Sequence, residues 1–355
     1  MLLITDLPRD TGVGQYVHDL AITNRDAVIF YRGEMPLEKF EMTSRRNMSN
    51  SIISEGYYYT QLKILSNKLS PISHIVWEGF GPVLGPNTKL ITIHHVLPPD
   101  GGFLNQTRSL GAALLKHYAV RGHIKVVKWE IPATVPSNDT KQQLIKYYSA
   151  RPGKIEVIPH AIDTEFFRQM SRGKARAMLS LPDSKFIIFT VADDDLRKNI
   201  EVVFKAFRKL KERFSDILWV HLGKSAYLSQ VHNKEKNILF MNDLPKEMVR
   251  TLYSACDVLV LPSRGEGFSR TLLEALSCNL RVITSDLELF KEQMGEYYDG
   301  VTPTVDNIVM KLAKIYKGED FFDFNGVRTR IIKQFGLEEF ARRYQRLYEK
   351  VGLIE

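Results

Sequence analysis

Apolar and polar positions follow two rhythms along this chain. Short runs rich in Val, Ile, Leu and Phe recur throughout, separated by longer stretches whose apolar residues fall three and four apart. The short runs predict strands at 2–5, 27–31, 74–77, 90–94, 125–128 and 156–158, and again at 186–191, 218–222, 238–241, 258–261 and 282–284. The longer stretches predict helices. In 200–214, for example, Ile200, Val203, Phe204, Phe207 and Leu210 share one face. Strands alternating with helices predict an α/β fold, with parallel sheets covered by helices on both faces. The polar stretch 163–174 divides the pattern into two similar halves, so the expected domains are 1–165 and 166–335, followed by a closing helix in 336–355. Open α/β sheets bind ligands beyond the carboxyl ends of their strands. Two Rossmann-like domains in tandem are therefore expected to face each other across a ligand-binding cleft.

Composition narrows this picture only in part. A length of 355 residues suits two such domains. No apolar stretch approaches the roughly 20 residues of a membrane span. The start, Met1 to Asp6, reaches an acidic residue too early for a signal peptide and reads as a buried first strand. Two cysteines, Cys256 and Cys278, sit in apolar surroundings and read as core thiols of a reducing, cytoplasmic protein. The net charge of +8 is spread along the chain, and no nucleic-acid module accompanies it. A nucleic-acid partner is not expected. Basic residues around 108–128, with Leu110, Leu114 and Leu115 among them, suit either a helix packed on the sheet or one resting on an anionic membrane surface.

The densest chemistry lies between Asp257 and Asp286. A strand ends at Pro262-Ser263, a turn follows through Gly265-Glu266-Gly267, and a helix begins near Ser269. Glu266 and Glu274 have seven residues between them, which puts one carboxylate on the loop and the other early in the helix. A helix N-terminus attracts phosphate through its amides and dipole, and carboxylates accept the hydroxyls of sugars. Read singly, Glu266 is equally a capping residue and Glu274 a surface helix residue.

The whole segment resembles the retaining glycosyltransferases of the GT-B fold, specifically glycosyltransferase family 4. That family carries a Glu–seven residues–Glu motif in a stretch like PS-x-x-EGFG-x-x-x-LEA. Here it stands as Pro262-Ser263-Arg264-Gly265-Glu266-Gly267-Phe268 and Leu273-Glu274-Ala275. The resemblance implies that Glu266 contacts the hydroxyls of a donor sugar and Glu274 the ribose. It also implies that main-chain amides near Gly267, Phe268 and Ser269 meet the diphosphate. The family's Gly-x-Pro is Asn279-Leu280-Arg281 in this chain, at a position expected to be a turn. The segment from Val157 to Phe167 is similar to the family's interdomain VIPNGVDTxxF. The strand at 90–96 is similar to its VVTVHDL, which implies a cleft-facing role for His94. The segment Thr11 to Tyr16, with Gly12 and Gly14, is similar to its GGVGRY loop near donor phosphate and acceptor; alone, such a glycine pair reads as a turn. The helix at 338–351 resembles the one that crosses back to the N-terminal domain.

One departure bears on the chemistry. The family places an arginine and then a lysine after the first strand of the second domain, where both neutralise the diphosphate. Lys198 matches the lysine, but Asp193 occupies the arginine position. Three readings follow: Arg197 substitutes, Asp193 points away and caps the helix beginning near Lys198, or catalysis is weakened. The run Asp193-Asp194-Asp195 could also suggest a metal-binding Asp-x-Asp, but capping by Asp194 or Asp195 accounts for it more simply, and neither a cofactor nor a metal is expected. The resemblance implies a retaining hexosyltransferase with a nucleotide-diphosphate sugar as co-substrate and a glycan, lipid or protein-linked acceptor. Lys198, Glu266, His94 and Arg197 are its expected catalytic groups. A non-catalytic nucleotide-sugar-binding protein is the alternative. A nucleotide-sugar epimerase would need a different set of cleft residues, which the chain does not display.

Overall fold

The computed structural model of the protein describes residues 2–4, 12–22, 28–30, 74–76, 84, 88–99, 110–193, 195–225, 227–228 and 237–353. The chain divides into two compact units. One comprises Met1–Ala161 with Leu337–Glu355, the other Ile162–Gly336.

In the first unit, β1 (Leu2–Ile4), β2 (Val28–Phe30), β3 (His74–Ile75), β4 (Ile91–Thr92), β5 (Ala133–Val135) and β6 (Ile155–Val157) form one parallel sheet. Its order is β2-β1-β3-β4-β5-β6. Helices α1 (Gly12–Ile22), α2 (Leu110–Lys128) and α3 (Asn138–Tyr148) belong to this unit, as does the closing helix Leu337–Lys350. The closing helix buries Phe340, Tyr344, Leu347 and Tyr348, a four-then-three spacing that lays one stripe against Tyr16, Val17 and Leu20 of α1 and against Val76. Its polar atoms are matched as well. The Tyr344 hydroxyl meets those of Tyr16 and Thr134, and His74 bridges Thr92 at 2.8 Å and Tyr348 at 3.0 Å. A buried stripe of this kind is stable only when such hydroxyls find partners.

Two expectations for this half are corrected. Residues 125–128 are the last turn of α2 and not a strand. Ala119, His123 and Val126 are buried at helical spacing, while Arg121, Ile124 and Lys128 are exposed. The β-branched pair Val126-Val127 suggested a strand locally, and packing of the helical stripe overrides that preference. The strand β5 was not expected, because Ala133-Thr134-Val135 lies between Pro132 and Pro136 and has one large apolar residue; its three buried residues pair with both β4 and β6. Residues 5, 27, 31 and 77 of the expected strands lie outside the described residues.

In the second unit, β7 (Phe186–Val191), β8 (Ile217–Leu222), β9 (Ile238–Met241), β10 (Val258–Leu261) and β11 (Arg281–Thr284) form a parallel sheet of order β11-β10-β7-β8-β9. Its helices are α4 (Arg172–Met178), α5 (Ile200–Lys211), α6 (Lys246–Ala255), α7 (Arg270–Ser277), α8 (Glu288–Met294), α9 (Val305–Tyr316) and α10 (Phe324–Phe335). Central strands read as unbroken apolar runs because both faces are covered. All four residues of β10 are buried, and each such side chain contributes about 1.5–3 kcal/mol of transfer free energy. The expected α5 face is realised, with Val203, Phe204, Phe207 and Leu210 buried against the sheet. The chain thus forms two parallel-sheet, Rossmann-like α/β units. No helix of the described residues is long and apolar enough to cross a membrane.

Candidate active site at the end of the second sheet

The strand order of the second sheet fixes where its chemistry gathers. Successive strands run outward from β7 through β8 to β9, and the chain then returns to place β10 on the other side of β7. Ligands of open α/β sheets bind at this kind of reversal, outside the carboxyl ends of the two strands. Beyond β7 the chain makes a one-turn 3-10 helix, Leu196–Lys198, and enters α5 through Asn199 in a left-handed conformation (φ 52°). Beyond β10 it passes through buried Pro262 and Ser263 to Ser269, the N-cap of α7.

Hydrogen bonds hold these two loops together. The Arg264 amide donates to the Arg197 carbonyl at 2.7 Å, and Asn199 Nδ2 donates to the Pro262 carbonyl at 3.2 Å. This brings Lys198 Nζ to 2.6 Å from Glu266 Oε1, with side chains 31% and 7% exposed. Ser263 Oγ donates to the same oxygen at 2.7 Å, while the Ser263 carbonyl accepts from Ser285 Oγ at 2.5 Å. Sequence reasoning did not count Ser263 as a site residue, although it stands at a strand end and in the Pro-Ser of the motif.

Arg197 is committed to Asp195. Its Nη2 and Nε donate to Asp195 Oδ2 at 2.7 and 3.0 Å, and its amide donates to Oδ1 at 2.9 Å. Asp195 therefore caps the 3-10 turn, in line with the capping reading of the aspartate run. Burial raises the Asp195 pKa, but the bonds and charge of Arg197 outweigh it and hold the carboxyl below its ordinary range. Burial likewise opposes the charge on Arg197, and Asp195 together with Glu266 overcomes that effect.

Asp193 does not cap the turn near Lys198. Its exposed carboxylate accepts the Lys224 amide at 3.1 Å, tying the end of β7 to the turn after β8. That turn needs Gly223: its φ is +123°, and a Cβ there would lie 2.3 Å from the Ala192 carbonyl oxygen. Asp194 lies outside the described residues.

On the other loop, Ser269 Oγ accepts the Leu272 amide at 3.3 Å, so its hydroxyl serves the cap. Gly267 is buried, and the Phe268 ring packs on Phe335 with centroids 6.0 Å apart. Glu274 lies in the second turn of α7. Its Oε2 accepts from the Tyr253 hydroxyl at 3.1 Å, and Arg270 Nε stands 3.8 Å from Oε1. Tyr253, from α6, had no signal in the sequence because its relation to Glu274 arises only when the two helices pack.

The remaining candidates belong to the first unit. Gly12 and Gly14 open α1 and do not form a loop. Burial of Tyr16, Val17 and Leu20 overcomes the poor helix propensity of glycine there. His94 follows β4 and is buried. Its Nε2 donates to the Val76 carbonyl at 2.8 Å, and its Nδ1, the acceptor in that tautomer, lies 3.0 Å from His160 Nε2. Burial lowers its pKa to about 3, so the ring is neutral.

Two parallel-sheet, Rossmann-like units in one chain place the protein in the GT-B class of α/β fold. Residues 171–333, all within the second unit, match the family Glycosyl transferases group 1. Among curated relatives, the chain is 28% identical over 151 residues to the alpha-galactosylglucosyldiacylglycerol synthase of Streptococcus pneumoniae, covering 39% of each. It is 30% identical over 181 residues to the N-acetylgalactosamine-N,N'-diacetylbacillosaminyl-diphospho-undecaprenol 4-alpha-N-acetylgalactosaminyltransferase of Campylobacter jejuni, covering 48% of this chain and 46% of that protein. The matched segments thus span less than half the length of these relatives. Anabaena HepE, solved in complex with UDP and glucose, superposes with a TM-score of 0.75 at 13% identity, covering 98% of both chains, a likeness of fold alone.

Proposed function

We propose that this chain is a retaining glycosyltransferase that moves a hexose from a UDP- or GDP-sugar to a glycan, lipid or protein-linked acceptor without a metal ion. The observation that carries this reading is the Lys198–Glu266 pair beside the capped N-terminus of α7, at the strand reversal between β7 and β10. Lys198 and the first-turn amides of α7 suit a diphosphate, Glu266 suits sugar hydroxyls, and Glu274 suits a ribose. In the reaction, the bond from the anomeric carbon to the diphosphate oxygen breaks while the acceptor oxygen approaches the same face. The acceptor proton passes to the departing phosphate. The protein then acts by positioning the partners and by stabilising charge on the leaving group. Gly12 and Gly14 of the first unit are assigned to the donor, and His94 to the acceptor side, where its ring must leave the Val76 carbonyl or His160 to bond the transferred sugar.

Contact with an anionic membrane is part of the proposal. On α2, His117, Arg121, Ile124 and Lys128 are exposed at four-three-four spacing, a basic stripe around an aliphatic side chain that is 51% exposed. The names of the two curated relatives above include a glycosyldiacylglycerol and a diphospho-undecaprenol, which supports a lipid acceptor.

The test is a calorimetric screen of UDP-, GDP- and ADP-sugars in EDTA, followed by NMR of the product's anomeric configuration. Binding in EDTA with retained configuration supports the reading; inversion, or a strict metal requirement, overturns that part of it. A second reading rests on Asp193, a carboxylate where the resemblance places an arginine. It expects nucleotide sugars to bind without being transferred or hydrolysed.

A further inference from the structure

The donors on Glu266 carry a consequence for which ligands the site prefers. Resting on the proposed donor site, we infer that Glu266 competes with the diphosphate for Lys198, so that the site favours an intact sugar nucleotide over the bare nucleoside diphosphate. Lys198 Nζ and Ser263 Oγ converge on one oxygen of a side chain that is 7% exposed. A phosphate recruited to Lys198 draws the ammonium away from that oxygen. Glu266 then keeps the Ser263 hydroxyl, and the Arg197 charge still acts on it. A nearly buried carboxylate that loses a charged donor is costly, and the cost persists unless another donor replaces it. The hydroxyls of a bound sugar are such donors. An intact sugar nucleotide offsets the loss at Glu266, whereas a nucleoside diphosphate leaves it uncompensated. Once the hexose has left, recapture of Lys198 by Glu266 favours release of the diphosphate product.

Two substitutions shift this preference in opposite directions. Glu266→Gln removes the competing charge. Its affinity for the nucleoside diphosphate should rise while that for the sugar nucleotide falls, narrowing the ratio of the two by about tenfold, the equivalent of one charged hydrogen bond. Ser263→Ala leaves Lys198 as the remaining polar partner of Oε1. Withdrawing Lys198 then costs more, and the ratio should widen a few-fold, chiefly through weaker diphosphate binding. The measurement is calorimetry of UDP against UDP-glucose, and of GDP against GDP-mannose, on wild-type and both variants, with melting temperatures to confirm folding. Opposite shifts of the ratio bear the inference out. A wild-type protein that binds the sugar nucleotide, with variants that move both ligands by the same factor, overturns the inference and leaves the donor site standing. A wild-type protein that binds none of the four overturns both.

Discussion

At the scale of single residues, the two departures from the family pattern have different physical meanings. Asp193 puts a carboxylate, engaged with the Lys224 amide, where the resemblance expects the positive charge of an arginine. Lys198 consequently carries more of the proposed charge stabilisation. Lys198→Ala is expected to reduce turnover by about two to three orders of magnitude, the usual scale for removing a preorganised electrostatic group. The variant should still fold, with a lower melting temperature because Glu266, 7% exposed, loses its charged donor; turnover close to wild type would refute the assignment. The second departure is structural. Asn279 takes the left-handed turn (φ 57°) where the family has glycine, and Arg281, in place of proline, is 4% exposed at the start of β11. Its guanidinium pairs with Asp299 and, at 2.6 Å, with Asp320, and Lys311 reaches both carboxylates at 2.6 and 2.8 Å. Truncating one member of a buried charge network leaves the others poorly compensated. Arg281→Ala should therefore cost roughly 3 kcal/mol or more in denaturant unfolding. A loss under about 1 kcal/mol would show that Lys311 suffices alone. The expected turn at 279–281 was legible in the sequence, but the partners of Arg281 were not, since they lie 18 and 39 residues away.

At the scale of elements, α7 is the piece on which the proposed site depends. It has only eight residues, so it is marginal by itself and relies on its cap and on packing of Leu272, Leu273, Ala275 and Leu276. Ser269→Ala should lower stability by about 1 kcal/mol, and Ser269→Gly by only a few tenths. Equal losses in the two variants, read from urea midpoints, would show that the hydroxyl does not act as the cap. The start of α7 and the flanking strands β10 and β11 could be read from the sequence because β-rich runs, a serine and a glycine turn are local signals. The strand expected at 125–128 failed for the complementary reason. Two adjacent valines suit either element locally, and burial of Ala119, His123 and Val126 on one face made the stretch helical.

At the scale of the whole molecule, buried neutral histidines set the response to acid. Burial lowers the pKa of His74, His94 and His123 in the first unit to about 3, and that of His221 in the second to about 4. Unfolded, each titrates near 6.5. The unfolded chain then binds more protons than the native one below about pH 6.5, so these groups favour the fold above that pH. Their contribution is lost progressively as pH falls from about 6.5 toward 3. Melting temperatures should therefore drop steadily across that window, and His123→Gln should flatten the slope. A wild-type profile that stays flat from pH 6.5 to 4 would contradict the buried neutral state.

The sequence by itself determined the alternation of strands and helices, the division into two α/β halves, and the order of strand, glycine turn and capped helix that carries Glu266 and Glu274. These depend on periodicity and on residues close in the chain, whose preferences act before any distant contact forms. Only the tertiary structure decided which groups meet. Lys198 and Glu266 are 68 residues apart and touch because the chain crosses back to lay β10 beside β7. Asp193 goes to the Lys224 amide, and His94 turns both ring nitrogens inward. Pairings of this kind follow from desolvation and the directions of hydrogen bonds at the packed ends of strands, and no local pattern encodes them.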